Sequence, residues 1–303
     1  MSIEAIELSK IYGSQKALDN ISFSINSGEI VGFLGPNGAG KSTTMKILTC
    51  FIKQTSGIAK ICGYETLKSP EEVKMRIGYL PENNPLYTEM YVSEYLNFVA
   101  GFYKLSNVKA RIDEIIQITG LAEERHKKIV ALSKGYRQRV GLSQALIHNP
   151  EVLILDEPTS GLDPNQINDI RKIIKDFGKD RTILLSTHIM QEAEALCDRI
   201  IIINKGKIVI DEQTQVLRQK FTSNLVINVE FKNEVSKSKL LKLEGILSAI
   251  CIKENHWRIE SDGNSDIREI LFKFAVETEN IILKQNEEEQ KLEEIFHQLT
   301  QSK

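Results

Sequence analysis

The sequence predicts an α/β protein with a largely parallel sheet, followed by a smaller α+β domain. Over residues 1 to about 210, short β-rich runs alternate with stretches of helical periodicity, the pattern of strands joined through helices. Two of those runs, Val31-Gly32-Phe33-Leu34 and Val152-Leu153-Ile154-Leu155, are apolar without interruption, as strands are when helices cover both faces of their sheet. Near Gln215 the texture changes, which sets the expected domains at 1–215 and 216–303.

In order, strands are expected at 3–8, 21–25 and 29–34, a helix at 42–49, and strands at 58–61 and 77–80. Between 85 and 139 strand signals stop, and Tyr95, Val99, Phe102 and Tyr103, then Ile112, Ile115, Ile116 and Thr119, recur at helical spacing. That spacing predicts a helical insertion, with the Tyr95 stripe in the core and part of its region a candidate docking face for a partner. Strands follow at 152–155, 182–186 and 199–203. The helix expected at 165–177 places Ile167, Ile170, Ile174 and Phe177 on one stripe, with Pro164 suited to its first turn. In the second domain a strand at 224–231, a helix at 235–243, a hairpin over 246–260, an Asp262-Gly263 turn, a helix at 266–276, a strand near 281–284 and an acidic helix at 287–299 complete the chain.

A net charge of -2 gives no reason to expect nucleic acid as partner. No run approaches the ~18 apolar residues of a membrane span, and the start, Met1-Ser2-Ile3-Glu4, has no secretory signal pattern. Any membrane process the chain serves needs another chain to span the bilayer. Cys50, Cys62, Cys197 and Cys251 show neither a C-x-x-C pair nor zinc-ligand spacing, so reduced, mostly buried thiols are expected.

Gly35-Pro36-Asn37-Gly38-Ala39-Gly40-Lys41-Ser42 fits G-x-x-x-x-G-K-[ST]. Phosphate oxygens need several backbone N–H donors converging on one point, and glycines at 35, 38 and 40 keep side chains out of that approach. A helix starting near Lys41 aims its free N–H groups at the anion. Lys41 adds a point charge for the β- and γ-phosphates, the Ser42 hydroxyl can ligate Mg²⁺, and Thr43 closes the expected phosphate-binding set. The competing reading, an ordinary glycine turn with a solvated lysine, lacks the flanking strand and helix.

The second buried strand ends in Asp156-Glu157-Pro158. Two carboxylates closing a buried strand are costly unless something cationic meets them. Asp156 is placed to hold Mg²⁺, and Glu157, pointing elsewhere, to polarise an attacking water as general base.

With those motifs, residues 1 to about 215 resemble the ATP-binding cassette (ABC) family. Leu132-Ser133-Lys134-Gly135-Tyr136 is similar to its signature motif, Ser160-Gly161-Leu162-Asp163 to its D-loop, His188 to its switch histidine, and Tyr12 to the aromatic that stacks on adenine. The resemblance implies an ABC-type P-loop fold with a helical signature subdomain, and ATP hydrolysis with Mg²⁺. It also implies head-to-tail pairing with a second nucleotide-binding subunit, identical or not, in which Ser133, Gly135 and Asp163 serve ATP bound by the partner. Separate transmembrane permease subunits would be energised from the cytoplasmic face of the membrane.

Two spellings depart from the family pattern. Glu82, in Gly78-Tyr79-Leu80-Pro81-Glu82, stands where a Q-loop glutamine is usual; it can ligate Mg²⁺ or accept a hydrogen bond from its water, but cannot donate one and adds a negative charge. Lys134 and Tyr136 replace the signature's usual glycine and glutamine, and Lys134 is expected to lend positive potential near the partner's γ-phosphate. The YLPE spelling is similar to an exporter-type subfamily. Within it, residues 132–140, 83–87 and 186–192 most resemble ATP-binding subunits linked to bacterial gliding motility. The rival function is a soluble ABC ATPase acting on ribosomes or nucleic acid; one cassette without sustained heptads disfavours it. A non-hydrolysing regulatory cassette is disfavoured by the intact Glu157.

His126, His148, His256 and His297 lack a partner pattern and read as surface or satisfied histidines. Asn204-Lys205-Gly206-Lys207 reads as a β-turn.

Overall fold

The computed structural model describes residues 1–217, 226–262 and 265–288. The chain divides into two compact units, Met1–Thr214 and Gln215–Lys303.

The first unit holds two sheets. β1 (Ile3–Tyr12), β2 (Gln15–Ile25), β3 (Ile30–Leu34), β4 (Ser56–Ile61), β5 (Tyr64–Glu65), β6 (Ile77–Leu80), β7 (Val152–Asp156), β8 (Thr182–Thr187), β9 (Arg199–Asn204) and β10 (Lys207–Gln213) are its strands. Six of them form a sheet in the order β10-β9-β3-β8-β7-β6, parallel except for β10. Every residue of β3, β7 and β8 is buried, which is why their sequences run apolar instead of alternating. The other four form an antiparallel sheet, β2-β1-β4-β5, so the early strands belong to a layer of their own and not to the parallel sheet. Phe23 of β2 meets Phe33 of β3 with ring centroids 5.5 Å apart, joining the two sheets through one apolar core.

Two strands have no counterpart in the sequence expectation. β5 is two residues long, too short to show a period. In β10 every second residue is only half-buried, so no apolar face announces it; the Lys205-Gly206 turn, with φ of 48° and 77°, folds it back on β9 as a two-residue hairpin.

The helices are α1 (Lys41–Leu48), α2 (Pro70–Arg76), α3 (Val92–Ala100), α4 (Val108–Ile118), α5 (Lys134–Leu146), α6 (Pro164–Gly178) and α7 (Met190–Leu196). The helical region overruns its expected end at 139, because α5 continues through buried Leu142, Ala145 and Leu146 against β6. The stripe beginning at Tyr95 needs correction: Tyr95 and Val99 are buried, but α3 stops at Ala100 and Phe102 is 69% exposed. In α6 the buried positions are Ile170, Ile173 and Ile174, while Ile167 and Phe177 are half-buried; Ile173 joins the stripe because its wide apolar face takes i+3 and i+4 neighbours alike.

The second unit comprises β11 (Val226–Phe231), α8 (Lys237–Leu240), β12 (Ile246–Lys253), β13 (His256–Ser261), α9 (Ile267–Glu277) and β14 (Ile282–Glu288). Its antiparallel sheet runs β12-β13-β11-β14, which with the βαββαβ succession is a ferredoxin-like arrangement. Val229, Phe231, Trp257 and Ile259 pack with Leu240, Leu271 and Phe274 in its core. The helix expected at 235–243 contracts to α8, whose buried residue is Leu240; Val235 before it is in the core and Leu243 after it packs at the edge. The acidic helix expected at 287–299 is corrected at its start: Glu287 pairs with Ile227 in β14, the ladder overriding glutamate's poor strand propensity. Residues 289–299, residues 224–225 and Gly263 of the expected turn lie outside the described residues.

The four cysteines are free. Cys197 is buried, Cys50 and Cys62 are partly buried, and Cys251 on β12 is exposed, a departure from the expectation of mostly buried thiols. Burial pushes Cys50 and Cys62 up to about 11 and Cys197 further. Among the described residues no helix is long and apolar enough to cross a membrane.

His148, just past α5, stacks on Tyr103 with centroids 3.9 Å apart and donates from Nε2 to the Ile77 carbonyl at 2.9 Å. Burial lowers its pKa from 6.5 to about 4. The unfolded chain therefore binds this proton first, and His148's contribution to stability is whole above pH 6.5 and lost as pH falls toward 4. Urea titrations across that window should show a shallower pH dependence for His148→Phe than for the parent chain.

Candidate active site

Parallel register brings three loops to one edge of the sheet. Leu34 of β3 is level with Thr187 of β8, and Asp156 of β7 with Ser186. The loop after Leu34, the Asp156-Glu157 pair and His188 therefore leave the sheet side by side, where open α/β sheets bind ligands.

The glycine loop has the conformation its composition requires. Gly38 and Gly40 sit at φ of 78° and 115°, a region that disfavours side chains. A Cβ on Gly40 would also come within 2.7 Å of the Ala17 carbonyl. α1 begins at Lys41, so its first N–H groups face the loop. Lys41 is buried; its ammonium donates to the carbonyls of Gly35 at 2.7 Å and Pro36 at 3.3 Å, and lies 3.6 Å from Glu157 Oε1.

Asp156 is 2% exposed. Its Oδ1 accepts from Ser42 Oγ at 3.2 Å and from Ser186 Oγ at 2.5 Å. Ser186 escaped the sequence reading; the available signal was a hydroxyl closing the buried run Ile183-Leu184-Leu185. Glu157 adopts φ of 50°, a left-handed turn that aims its side chain away from that of Asp156. Its backbone N–H lies 3.1 Å from Ser186 Oγ, and its Oε2 lies 2.9 Å from His188 Nδ1.

A cleft of about 590 Å³ opens over these groups, lined by Tyr12, Asn37, Gly38, Gly40, Lys41, Ser42, Thr43, Glu82, Glu157 and His188. Gln15, Ala17 and Ser160 also line it; the first two carry no motif. Tyr12 is half exposed, with the Lys10 ammonium 4.9 Å from its ring centroid. Gly35, Pro36 and Ala39 stand behind the loop, the first two as acceptors for Lys41.

Three expected nucleotide contacts lie elsewhere in this chain. Ser133 caps α5, accepting from Tyr136 N at 3.4 Å, and Asp163 caps α6, accepting from Gln166 N at 2.9 Å. Gly135 packs against the Gln166 side chain so closely that a Cβ would collide with it. The Lys134 ammonium lies over Gly161 of the same chain.

The donor set suits Mg²⁺. Among the described residues no group of three or more His, Cys, Asp and Glu could hold a metal unaided, but Mg²⁺ takes one or two protein oxygens and fills its octahedron with phosphate and water. Ser42 Oγ and Asp156 Oδ1 are such oxygens, already adjacent, and Glu82 lines this cleft with Ser42 and a neighbouring cleft with both.

The profile of a family described as "ABC transporter" matches residues 18–160. The bacitracin transport ATP-binding protein BcrA of Bacillus licheniformis is 39% identical over 237 residues, 77% of this chain and 76% of its own length. The chain belongs to the ABC transporter ATP-binding family. The ABC transporter ATP-binding protein NatA of Bacillus subtilis is 37% identical over 70% of this chain and 91% of its own. Among solved structures, a dimeric post-hydrolysis state of the ATP-binding cassette MJ0796 with ADP and Pi superposes with a TM-score of 0.65 at 26% identity, over 70% of this chain and 98% of that one. The chain thus has the ABC cassette fold and is an ATPase that energises an ABC transporter.

With Lys41 buried between carbonyls and a carboxylate, Lys41→Ala should weaken ATP binding about a hundredfold, the scale of removing one partner from a buried charge pair; calorimetric titration with nucleotide reads it.

Proposed function

We propose that the cleft binds MgATP, that Glu157 is the general base of its hydrolysis, and that the chain drives separate permease subunits from the inner face of a membrane. The supporting observation is the Glu157 carboxylate, held at the cleft between Lys41 Nζ at 3.6 Å and His188 Nδ1 at 2.9 Å.

In this reading the residues at 35–43 cradle the phosphates, Lys41 supplies the fixed cation, and Tyr12 stacks on adenine. Ser42 and Asp156 would hold Mg²⁺, with Glu82 beside them; the ion supplies neutralisation of charge developing on the transferred phosphoryl group. Glu157 takes the proton of the attacking water, while His188 fixes the orientation of Oε2 and leaves Oε1 toward Lys41. Ser133, Gly135 and Asp163, absent from their own chain's cleft lining, serve the nucleotide of a second cassette, identical or homologous. Lys134 then brings positive charge to that shared site.

A second cleft of about 880 Å³, lined by Phe51, Tyr87, Phe98 and Phe102 among others, borders Glu82. Those four rings are exposed, and we assign this face to the transmembrane partner. Export is the direction that the YLPE spelling favours. Gliding motility rests only on the spellings at 132–140, 83–87 and 186–192; the names of the relatives above speak of transport. The second unit, residues 216–303 in this reading, is an accessory domain.

Glu157→Gln should bind MgATP, accumulate as a dimer in size-exclusion chromatography, and release phosphate about a hundred- to ten-thousandfold more slowly. A monomeric variant with full turnover would refute the assignment. A tagged chain extracted in mild detergent should co-purify with an integral membrane protein; co-sedimentation with ribosomes or DNA instead would favour the soluble alternative.

A further inference from the structure

Beyond the residues that line the cleft, one buried acid ties its two catalytic loops together. Glu192, in the first turn of α7, is 3% exposed. Its Oε1 accepts from Thr159 Oγ1 at 2.5 Å and its Oε2 from Thr187 Oγ1 at 2.9 Å. Thr159 lies two residues after Glu157, and Thr187 immediately precedes His188. Both threonines are buried, at 4% and 0% exposure. Thr187 Oγ1 also accepts from the Ile189 N–H at 3.1 Å, so its hydroxyl hydrogen is free to serve Glu192.

We propose that Glu192 is a positioning residue for hydrolysis: its two oxygens clamp the Glu157 loop to the His188 loop and thereby set the contact between Glu157 Oε2 and His188 Nδ1. The inference rests on the assignment of Glu157 as base.

The register of β7 on β8 ends at Asp156 and Ser186. Past that pair one backbone bond remains, from the Glu157 N–H to the Ser186 carbonyl at 3.2 Å; no ladder spaces the residues beyond it, yet Glu157 and His188 must stay within hydrogen-bond reach. A buried carboxylate is a costly way to fill space, since an apolar residue of similar volume commonly serves stability as well or better. What an apolar residue cannot do is receive hydroxyls from two loops at once. Glu192 touches neither the glycine loop nor Tyr12 in any hydrogen bond above, so its loss should spare nucleotide affinity and strike turnover.

Steady-state phosphate release and thermal melting of the full-length chain test this. Glu192→Met keeps the length of the side chain but removes both acceptors; it should lower kcat about ten- to a hundredfold, with KM for MgATP within about twofold of the parent. Thr187→Val should do the same, and the double variant should lose little more than the worse single one, as members of one unit do. If Glu192→Met does not fold, Thr187→Val and Thr159→Val decide by the same comparison of kcat with KM. Glu157→Gln runs alongside. Should it be inactive while the clamp variants keep the parent kcat, the clamp is overturned and the base stands. Parent turnover in Glu157→Gln would overturn both. A clamp variant that melts lower but keeps its kcat marks a merely structural role, and this too overturns the proposal.

Discussion

A carboxylate at the end of a strand with no exposed residue must be met there by hydrogen or by cation. Asp156 and Glu157 are two such groups in succession, and most of the site's architecture follows from satisfying them. Asp156 is met by hydroxyls from Ser42 and Ser186, Glu157 by Lys41 and His188. Each partner reaches this spot because a parallel strand ends level with β7 or because the glycine loop turns back on itself. The left-handed φ of Glu157 separates the two acids by turning the second away from the first. Metal ligation and proton transfer can then occupy neighbouring positions without sharing a carboxylate.

Those constraints also explain why so much of this unit was legible from the sequence. Continuous apolar runs at Val31 and Val152 announced strands buried on both faces, and the phosphate loop needed glycine where φ is positive or a Cβ has no room. What escaped is what leaves no periodic trace. β5 is two residues long, β10 alternates half-buried with exposed residues and buries none, and Ser186 is one of three hydroxyl residues in β8. Phe102 shows the converse error. It keeps helical spacing with Tyr95 and Val99 but falls past the end of α3, where spacing no longer dictates which way a ring points.

In the candidate site, the glycine loop, both acids and His188 declared themselves through motif and context; the structure brings the loop, Glu157 and His188 to one cleft, with Asp156 bonded to the cleft-lining Ser42. Ser133, Gly135 and Asp163 were named with equal clarity and sit apart as helix caps and packing surfaces. A single chain displays their local role only. The signature helix is nonetheless bound to its own chain's acidic loop, since Gln138 donates from Nε2 to the Pro158 carbonyl at 2.9 Å.

The distribution of sulfur has a practical corollary. Thiolates, not thiols, react with electrophiles, and burial suppresses ionisation at Cys50, Cys62 and Cys197. Cys251, on a strand of the second unit, is the exposed one, while Cys50 and Cys62 are partly buried. A maleimide dye at neutral pH would therefore react first at Cys251, well separated in sequence from every residue that lines the first cleft.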